Sequence, residues 1–387
     1  MDMLTRRVVI RSLAQAIVAL GAAALVWRSR LIQVGMFLLA AGLSGRYRAQ
    51  LGTRAASRST EWSTLPPMVK ASSAALNPRV LITYHPEYQN FQPRLAIASL
   101  EAVARLGIGW IRTDLRWHQI LPDGMQPDRR ALDWYRAFLR AAAECGLRSM
   151  VVLSTPPKAV LRQDGSARLI SWNRFVETVV SDDLGAHCGV YALMNEPNNP
   201  AYRFFSLEEG ATALVQGASI IRSAHKQAKV AINVTMEFWG WRRYLTEILR
   251  LSGRAVDIVG LDHYPGTWTV GLQNRWAEVV EIADRVASAP RGSPWFGRRV
   301  AIMETGFSTN APMRDEEQQS KYFENVASVV ARLPRSAGGD GAVFGIYELC
   351  DGSSSAWLDP EAHFGLLTSD LQPKRAFATV AQIVASF

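Results

Sequence analysis

The sequence predicts an α/β fold, a (β/α)8 or TIM barrel that occupies residues 78–387. Short apolar runs recur along this part of the chain, each about the length of a strand that is buried on both faces. Helical patterns fill the intervals, and eight strand-then-helix units in roughly 300 residues fit such a barrel. The runs lie at residues 79–84, 108–113, 148–153, 189–194, 229–234, 256–261, 299–303 and 342–347.

The intervals between the runs carry helix signals. Apolar residues from Leu132 to Ala142 keep the spacing of one buried helix face, and Cys145-Gly146 is a typical helix end. Ser206 to Glu209 has the pattern of a capping box. A late amphipathic helix is predicted from Tyr322 to Leu333, and a final helix from near Pro373.

A doubly wound open sheet is the alternative for a chain in which strands and helices alternate. That fold usually carries a glycine-rich phosphate-binding turn after an early strand. Here Gly107-Ile108-Gly109 precedes its strand and lacks the third glycine. The barrel is therefore favoured.

Residues 1–45 differ from the rest and are predicted to be an export signal or a membrane anchor. Two apolar runs, Ser12–Trp27 and Leu31–Leu43, are flanked by arginines, and neither reaches the roughly 20 residues that span a bilayer. Thr5–Arg11 is a loose twin-arginine pattern. A cleaved signal, an uncleaved anchor and a hairpin in one leaflet stay open. We expect a membrane-anchored or exported protein, with its orientation open.

Residues 46–77 are predicted to be a tether, since they are rich in Ser, Thr, Ala and Arg without a sustained period. The excess of positive charge lies before the barrel. Residues 1–70 hold ten Lys or Arg against two Asp or Glu, whereas the remainder holds 33 against 32. The nearly neutral body disfavours a nucleic-acid partner. Three cysteines form no disulfide framework or metal motif.

Two predicted strands end on glutamates. The run at 189–194 leads into Asn195-Glu196-Pro197, and the run at 299–303 leads into Glu304-Thr305-Gly306. The carboxyl ends of barrel strands meet at one mouth, so the two carboxylates are predicted to face each other there. Such a pair cleaves glycosidic bonds, because one carboxyl protonates the departing oxygen while the other attacks the sugar or activates water.

Other strand ends supply candidate substrate-binding residues. They are Arg112, Asn195, His263 and Tyr264, together with three tryptophans predicted to stack on sugar rings, Trp117, Trp268 and Trp357. Trp172, Trp239 and Trp241 are further stacking candidates, and Asp114, Asp262 and Glu348 are interpreted as framework carboxylates. A structural role at the mouth is the alternative for Arg112, and a satisfied core histidine is the alternative for His263. For each tryptophan the alternative is packing.

From about Arg79 to Phe387 the sequence resembles the clan A retaining glycoside hydrolases, which are (β/α)8 barrels. The clan places Asn-Glu, often followed by Pro, at the end of strand four and the nucleophilic glutamate at the end of strand seven. Asn195-Glu196-Pro197 and Glu304-Thr305-Gly306 match these motifs. Arg112 matches the clan's arginine on strand two, and His263 with Tyr264 matches its His/Tyr on strand six. The resemblance implies that Glu196 is the acid/base and Glu304 the nucleophile.

Within the clan, Arg112–Trp117 and Asn195–Asn198 look most like the xylosidase and exopolysaccharide-hydrolase branch. Many members carry a tryptophan at the end of strand eight, where this chain has Tyr347-Glu348-Leu349, so the bound sugar stays open. The expectation is a retaining hydrolase of a polysaccharide or oligosaccharide that needs no cofactor or metal. A silent glycan-binding barrel and a transglycosylase are the alternatives, and the oligomeric state is not predicted.

Overall fold

The structure, a computed structural model, describes residues 76–89, 91–181, 184–268, 274–310, 314–333, 344–352 and 359–387. The predicted anchor at 1–45 and nearly all of the predicted tether at 46–77 lie outside these ranges. Within them, every helix is too short or too polar to cross a bilayer.

Eight parallel strands close into a barrel, which confirms the predicted fold class. Each strand pairs with its neighbours in sequence, and β8 pairs with β1 to close the ring. The first seven strands begin within two residues of their predicted starts. The strands are β1 (Asn77–Thr83), β2 (Ile108–Arg116), β3 (Arg148–Ser154), β4 (Cys188–Leu193), β5 (Lys229–Thr235), β6 (Ile258–Asp262), β7 (Arg299–Thr305) and β8 (Phe344–Ile346).

Helices follow the strands and pack around the ring. They are α1 (Pro93–Arg105), α2 (Arg129–Glu144), α3 (Gly165–Ser181), α4 (Leu207–Ala224), α5 (Trp241–Leu251), α6 (Trp276–Ala287), α7 (Glu316–Val330) and α8 (Arg375–Ser386). Single helical turns lie at Trp117–Ile120 and Lys158–Leu161, and 3-10 turns at Pro86–Gln89, Leu184–His187 and Pro360–His363.

Local sequence explains where several helices begin and end. The predicted capping box at α4 is present, since Ser206 Oγ accepts from the Glu209 amide and Glu209 Oε2 accepts from the Ser206 amide. The side chain of Asp128 accepts from two amides at the start of α2. Beyond the end of α2, Gly146 has a φ of 79°, a left-handed conformation that favours glycine. Leu132 to Ala142 present the predicted buried face.

The barrel interior is closed by side chains at its amino-terminal end. Trp110 is the largest of them, and its indole Nε1 donates to the Pro78 carbonyl at 2.9 Å. The same apolar cluster includes Leu81, Met150, Val190 and Met303. Because this plug fills the lower barrel, space for a ligand is left at the carboxyl ends of the strands.

Candidate active site

A cavity lies at the carboxyl ends of the strands, where six predicted site residues line it. They are Arg112, Asn195, Glu196, Tyr264, Trp268 and Glu304. The remaining lining residues were not predicted to bind substrate; they are His85, Asp114, Asn199, Tyr202, Thr235, Tyr347 and Glu361.

The turn that carries Glu196 is strained. Met194 and Glu196 have φ values of 71° and 41°, in the left-handed region that residues with a Cβ rarely occupy. Such conformations cost about 1–3 kcal/mol each and concentrate at functional sites. Pro197 follows, so the strand cannot continue. With this backbone conformation, the Glu196 side chain lines the cavity.

Glu304 is held at the end of β7 by two donors. Arg112 Nη2 lies 2.5 Å from Glu304 Oε1, and the Tyr264 hydroxyl donates to Oε2. Burial, followed by the Glu304 carboxylate, raises the pKa of Tyr264 well above its ordinary value, so the phenol keeps the proton that it donates. Both oxygens of Glu304 are therefore acceptors, one towards a guanidinium and one towards a phenol.

Gly306 allows β7 and the end of β8 to approach at this point. A Cβ at this residue would lie 1.8 Å from the Tyr347 carbonyl oxygen, which is closer than atoms can come. The glycine of the Glu-Thr-Gly motif is therefore required by packing between neighbouring strand ends.

Glu196 lies in a different electrostatic environment from Glu304. Its side chain is 6% exposed, and its Oε2 accepts a hydrogen bond of 2.8 Å from Asn199 Nδ2. Burial, followed by the Glu304 carboxylate, raises the pKa of Glu196 to about 8. At neutral pH, Glu196 is therefore a carboxylic acid with a proton to donate.

Asp262 joins the two glutamates in a cluster of three carboxyl groups. One oxygen from each of Glu196, Asp262 and Glu304 lies within 4.8 Å of the other two. Oxygen ligands at such spacing suit a hard divalent cation. However, Arg112 already contacts Glu304, and burial raises the pKa values of the other two, which disfavours the charged oxygens that such a cation binds. The set fits an acid/base site better than a metal site.

A chain of hydrogen bonds fixes Asn195. Its Oδ1 accepts from Arg112 Nη2 at 2.9 Å and from Asn233 Nδ2 at 2.8 Å. Asn233 Nδ2 also donates to Asp262 Oδ2 at 2.5 Å. Because both bonds to Asn195 use its oxygen, its Nδ2 remains to donate into the cavity that the residue lines.

The structure places His263 outside the cavity, contrary to the predicted substrate contact. The imidazole is fully buried against Trp276. Its Nε2 accepts from the Arg275 amide at 2.9 Å, so Nδ1 carries the proton and donates to Glu237 Oε1 at 2.7 Å. The Tyr264 amide donates to the same Glu237 oxygen. His263 is therefore the satisfied core histidine of the alternative interpretation, and it supports the backbone of Tyr264.

The three tryptophans predicted to bind sugar have different outcomes. Trp268 lines the cavity beside Phe364. Trp117 does not, since its indole is fully buried and stacks on Phe175 with ring centroids 5.3 Å apart. Its burial contradicts the predicted contact. Because β2 ends at Arg116 and a helical turn begins at Trp117, the ring lies against helix α3 instead of the cavity. Trp357 lies outside the described residues.

Among the further stacking candidates, only Trp239 is exposed. Trp172 and Trp241 are buried in the core that surrounds the barrel. Trp239 follows β5 at the carboxyl end of the barrel, and 94% of its surface is exposed.

Sequence reasoning missed several cavity residues. Asn199 lies three positions after Glu196, close enough along the chain for the two side chains to contact each other. This spacing was a signal in the sequence that could have identified Asn199. Tyr347 was located at the end of strand eight but was not predicted to bind substrate. Glu361 gave no signal, because it comes from a later segment and meets Tyr347 only in the fold, where the Tyr347 hydroxyl donates to Glu361. His85 lies beyond the end of β1.

Comparisons with known proteins support the fold. No protein-family model matches the sequence, and no curated protein matches it. A family 1 β-glucosidase from Thermotoga maritima aligns over 82% of this chain and 99% of its own length, with a TM-score of 0.62 and 13% identity. An exo-β-1,4-mannosidase from Opitutaceae bacterium strain TAV5 aligns over 79% of this chain and 59% of its own, with a TM-score of 0.61 and 15% identity.

The chain has the (β/α)8 barrel fold that these solved structures share. A β-glucosidase named 1317 shows the same likeness, with a TM-score of 0.58 and 15% identity over 77% of this chain and 89% of its own. At these identities the likeness establishes the fold, and the chemistry of the site has to be argued from its own residues.

Proposed function

We propose that this protein is a retaining glycoside hydrolase, with Glu304 as nucleophile and Glu196 as acid and then base. The main observation in support is that two adjacent carboxyl groups have different hydrogen-bonding and charged neighbours. Arg112 and Tyr264 contact Glu304, while Glu196 is buried with a raised pKa. Pairs of carboxyl groups whose environments separate their proton affinities are typical of acid and nucleophile assignments.

The separation of the pair supports retention over inversion. Oxygens of Glu196 and Glu304 lie within 4.8 Å of each other. Retaining enzymes hold their two carboxyl groups about 5–5.5 Å apart, whereas inverting enzymes hold them roughly 6.5–9.5 Å apart to admit a water molecule. The short separation favours direct attack by Glu304 on the sugar.

In the first step, a Glu304 oxygen bonds to the anomeric carbon while the bond to the leaving oxygen breaks. Glu196 gives its proton to that oxygen, and the sugar remains as an ester of Glu304. The ester removes the negative charge of Glu304, which is one cause of the raised pKa of Glu196. Glu196, now a carboxylate, takes a proton from water, and the resulting hydroxide displaces Glu304 with a second inversion.

We assign to Asn195 the binding of the hydroxyl beside the reacting carbon. Its amide shares Arg112 Nη2 with the nucleophile, so it lies next to the position of the anomeric carbon. Hydrogen bonds to the 2-hydroxyl that strengthen in the transition state assist such reactions. We propose a glycoside in a polysaccharide or oligosaccharide as the substrate, and the xylosidase-like branch stays a prediction.

The first test is the anomeric configuration of the product, which proton NMR measures during the reaction. The second test uses two variants. Glu304→Ala is expected to abolish turnover of every glycoside, since the covalent intermediate cannot form. Glu196→Ala is expected to spare the first step on aryl glycosides with good leaving groups, and azide is expected to restore turnover. Glu281→Ala, which changes a half-exposed glutamate on α6, is the matched control and should leave both rates unchanged.

Three outcomes would contradict the proposal. An inverted product would exclude the double displacement. Glycan binding without hydrolysis of any glycoside would indicate a silent barrel. Transfer of the sugar to an added acceptor, with little hydrolysis, would indicate a transglycosylase.

We also propose that residues 1–45 hold the barrel at a membrane. Their arginine-flanked apolar runs support this location, and the orientation of the barrel stays open.

A further inference from the structure

Asp262 is a buried titratable group that the proposed mechanism does not use. It ends β6, is fully buried, and does not line the cavity. Its Oδ2 accepts from Asn233, and its Oδ1 has no hydrogen-bond partner among the described residues. A buried carboxyl group so close to two others is costly unless the site uses it.

Arg112 fixes the polarity of the hydrogen bonds that lead to Asp262. A guanidinium has only donors, so the atom of Asn195 that faces Arg112 must be the oxygen. The atom of Asn233 that faces this oxygen must then be the nitrogen. An amide with two hydrogens donates the second one to Asp262, which has to present an acceptor.

We propose that Asn233 and Asp262 form a positioning pair that holds the amide of Asn195 with its Nδ2 towards the substrate. This inference rests on the proposed function, because the substrate group that the amide meets is the 2-hydroxyl of the sugar. Neither Asn233 nor Asp262 lines the cavity, so both act through Asn195.

Arg112 alone cannot fix the orientation of this amide. One bond to Oδ1 leaves the Asn195 side chain free to swing about that contact, whereas a second bond from another direction holds the plane of the amide. Asn233 supplies the second bond from β5, and Asp262 orients Asn233 from β6. Burial and the neighbouring glutamates raise the pKa of Asp262, and in either protonation state its Oδ2 can accept the bond from Asn233.

The experiment compares two substrates that differ only at the second carbon. Rates on an aryl glycoside and its 2-deoxy analogue are measured for the wild type, Asn233→Leu, Asp262→Leu and Asp262→Asn. The two leucine variants keep the side-chain volume approximately but remove the hydrogen bonds. They are expected to lower kcat/KM about 10- to 100-fold on the hydroxylated substrate, the size of one strong hydrogen bond, and less than about 3-fold on the deoxy substrate.

Asp262→Asn is the conservative variant. Its carbonyl oxygen can replace the acceptor, so both rates are expected within about 3-fold of the wild type. If Asp262→Leu does not fold, as judged by its unfolding temperature, Asn233→Leu and Asn233→Ala carry the same comparison.

Equal losses on the two substrates would overturn the inference, because a general disturbance of the site makes no distinction at the second carbon. A loss in Asp262→Asn as large as in Asp262→Leu would also overturn it, since the charge and not the acceptor would then matter. The wild-type rates distinguish the two hypotheses. If the wild type hydrolyses neither glycoside, the proposed function has failed. If the wild type hydrolyses them but the variants show no substrate-dependent loss, only the positioning pair is refuted.

Discussion

The guanidinium of Arg112 and the carboxylate of Glu304 lie 2.5 Å apart, Nη2 to Oε1, although their strands are not neighbours. In the closed ring, β1 and β8 separate β2 from β7. The contact therefore crosses the mouth of the barrel and exists only after the ring has closed. The same Nη2 reaches Asn195 after β4. Arg112 thus connects the segment of the proposed nucleophile to that of the proposed acid/base.

This double contact predicts that Arg112→Lys is not a conservative change. A lysine keeps the charge, but its flexible chain does not hold the ammonium where the rigid, planar guanidinium places Nη2, against Glu304 and Asn195 together. We expect kcat/KM to fall about 100-fold or more. Arg250→Lys, on the exposed face of α5 beside Glu247, is the control and should have the wild-type rate. A rate for Arg112→Lys within a few-fold of the wild type would show that charge alone suffices.

The environment of Glu196 predicts the alkaline limb of the pH–rate profile. Glu196 must be protonated to act on the leaving oxygen, and its pKa is raised to about 8, chiefly by burial. Activity in kcat/KM should therefore fall as the pH rises through about 8. Glu361 contributes to the raised pKa and the Asn199 hydrogen bond opposes it. Glu361→Gln should move the limb to lower pH, and Asn199→Ala should move it to higher pH.

Kinetics measured from pH 5 to 10 on an aryl glycoside would test these shifts. The two substitutions have opposite effects on the proton affinity of Glu196. If the alkaline limbs of the two variants moved in the same direction, the assignment of Glu196 as the titrating acid would be wrong.

Trp117 and Trp268 are predicted to respond differently to substitution. Trp117→Ala removes a fully buried ring and should lower the free energy of unfolding by about 3–5 kcal/mol, with KM unchanged in the protein that remains folded. Trp268→Ala removes a ring that lines the cavity and should raise KM about 3- to 10-fold, with little change in unfolding temperature. Thermal unfolding and steady-state kinetics measure the two effects. An unstable Trp268→Ala with an unchanged KM would show that this ring, too, serves packing.

Residues 1–45 are predicted to hold the protein at a membrane, because their apolar runs and excess positive charge lie before the barrel. Fractionation should place the full chain with membranes, whereas a chain that begins at residue 71 should be soluble and active. Full-length, uncleaved protein found wholly in the soluble fraction would refute this prediction.

The strand positions and the two glutamates at the strand ends follow from local features of the sequence. A strand that is buried on both faces must be a short apolar run, and the residue that ends it lies at the barrel mouth whatever the neighbouring strands contain. For this reason Glu196, Glu304, Arg112 and Tyr264 could be placed before any coordinates. The same local logic identified the capping box at Ser206, whose partners are three residues apart.

The tertiary structure decided what each side chain at the mouth touches. Trp117 and Trp268 both follow barrel strands, yet one ring is enclosed by helix α3 and the other lines the cavity. His263 and Tyr264 are adjacent, yet only the tyrosine meets Glu304, since successive residues at a strand end point in different directions. The raised pKa of Glu196 and the chain from Arg112 through Asn195 and Asn233 to Asp262 depend on distances between segments far apart in sequence. Only the closed ring of strands sets these distances. The sequence alone therefore predicted the barrel and the positions of its two glutamates, whereas the fold determined how the surrounding residues contact them.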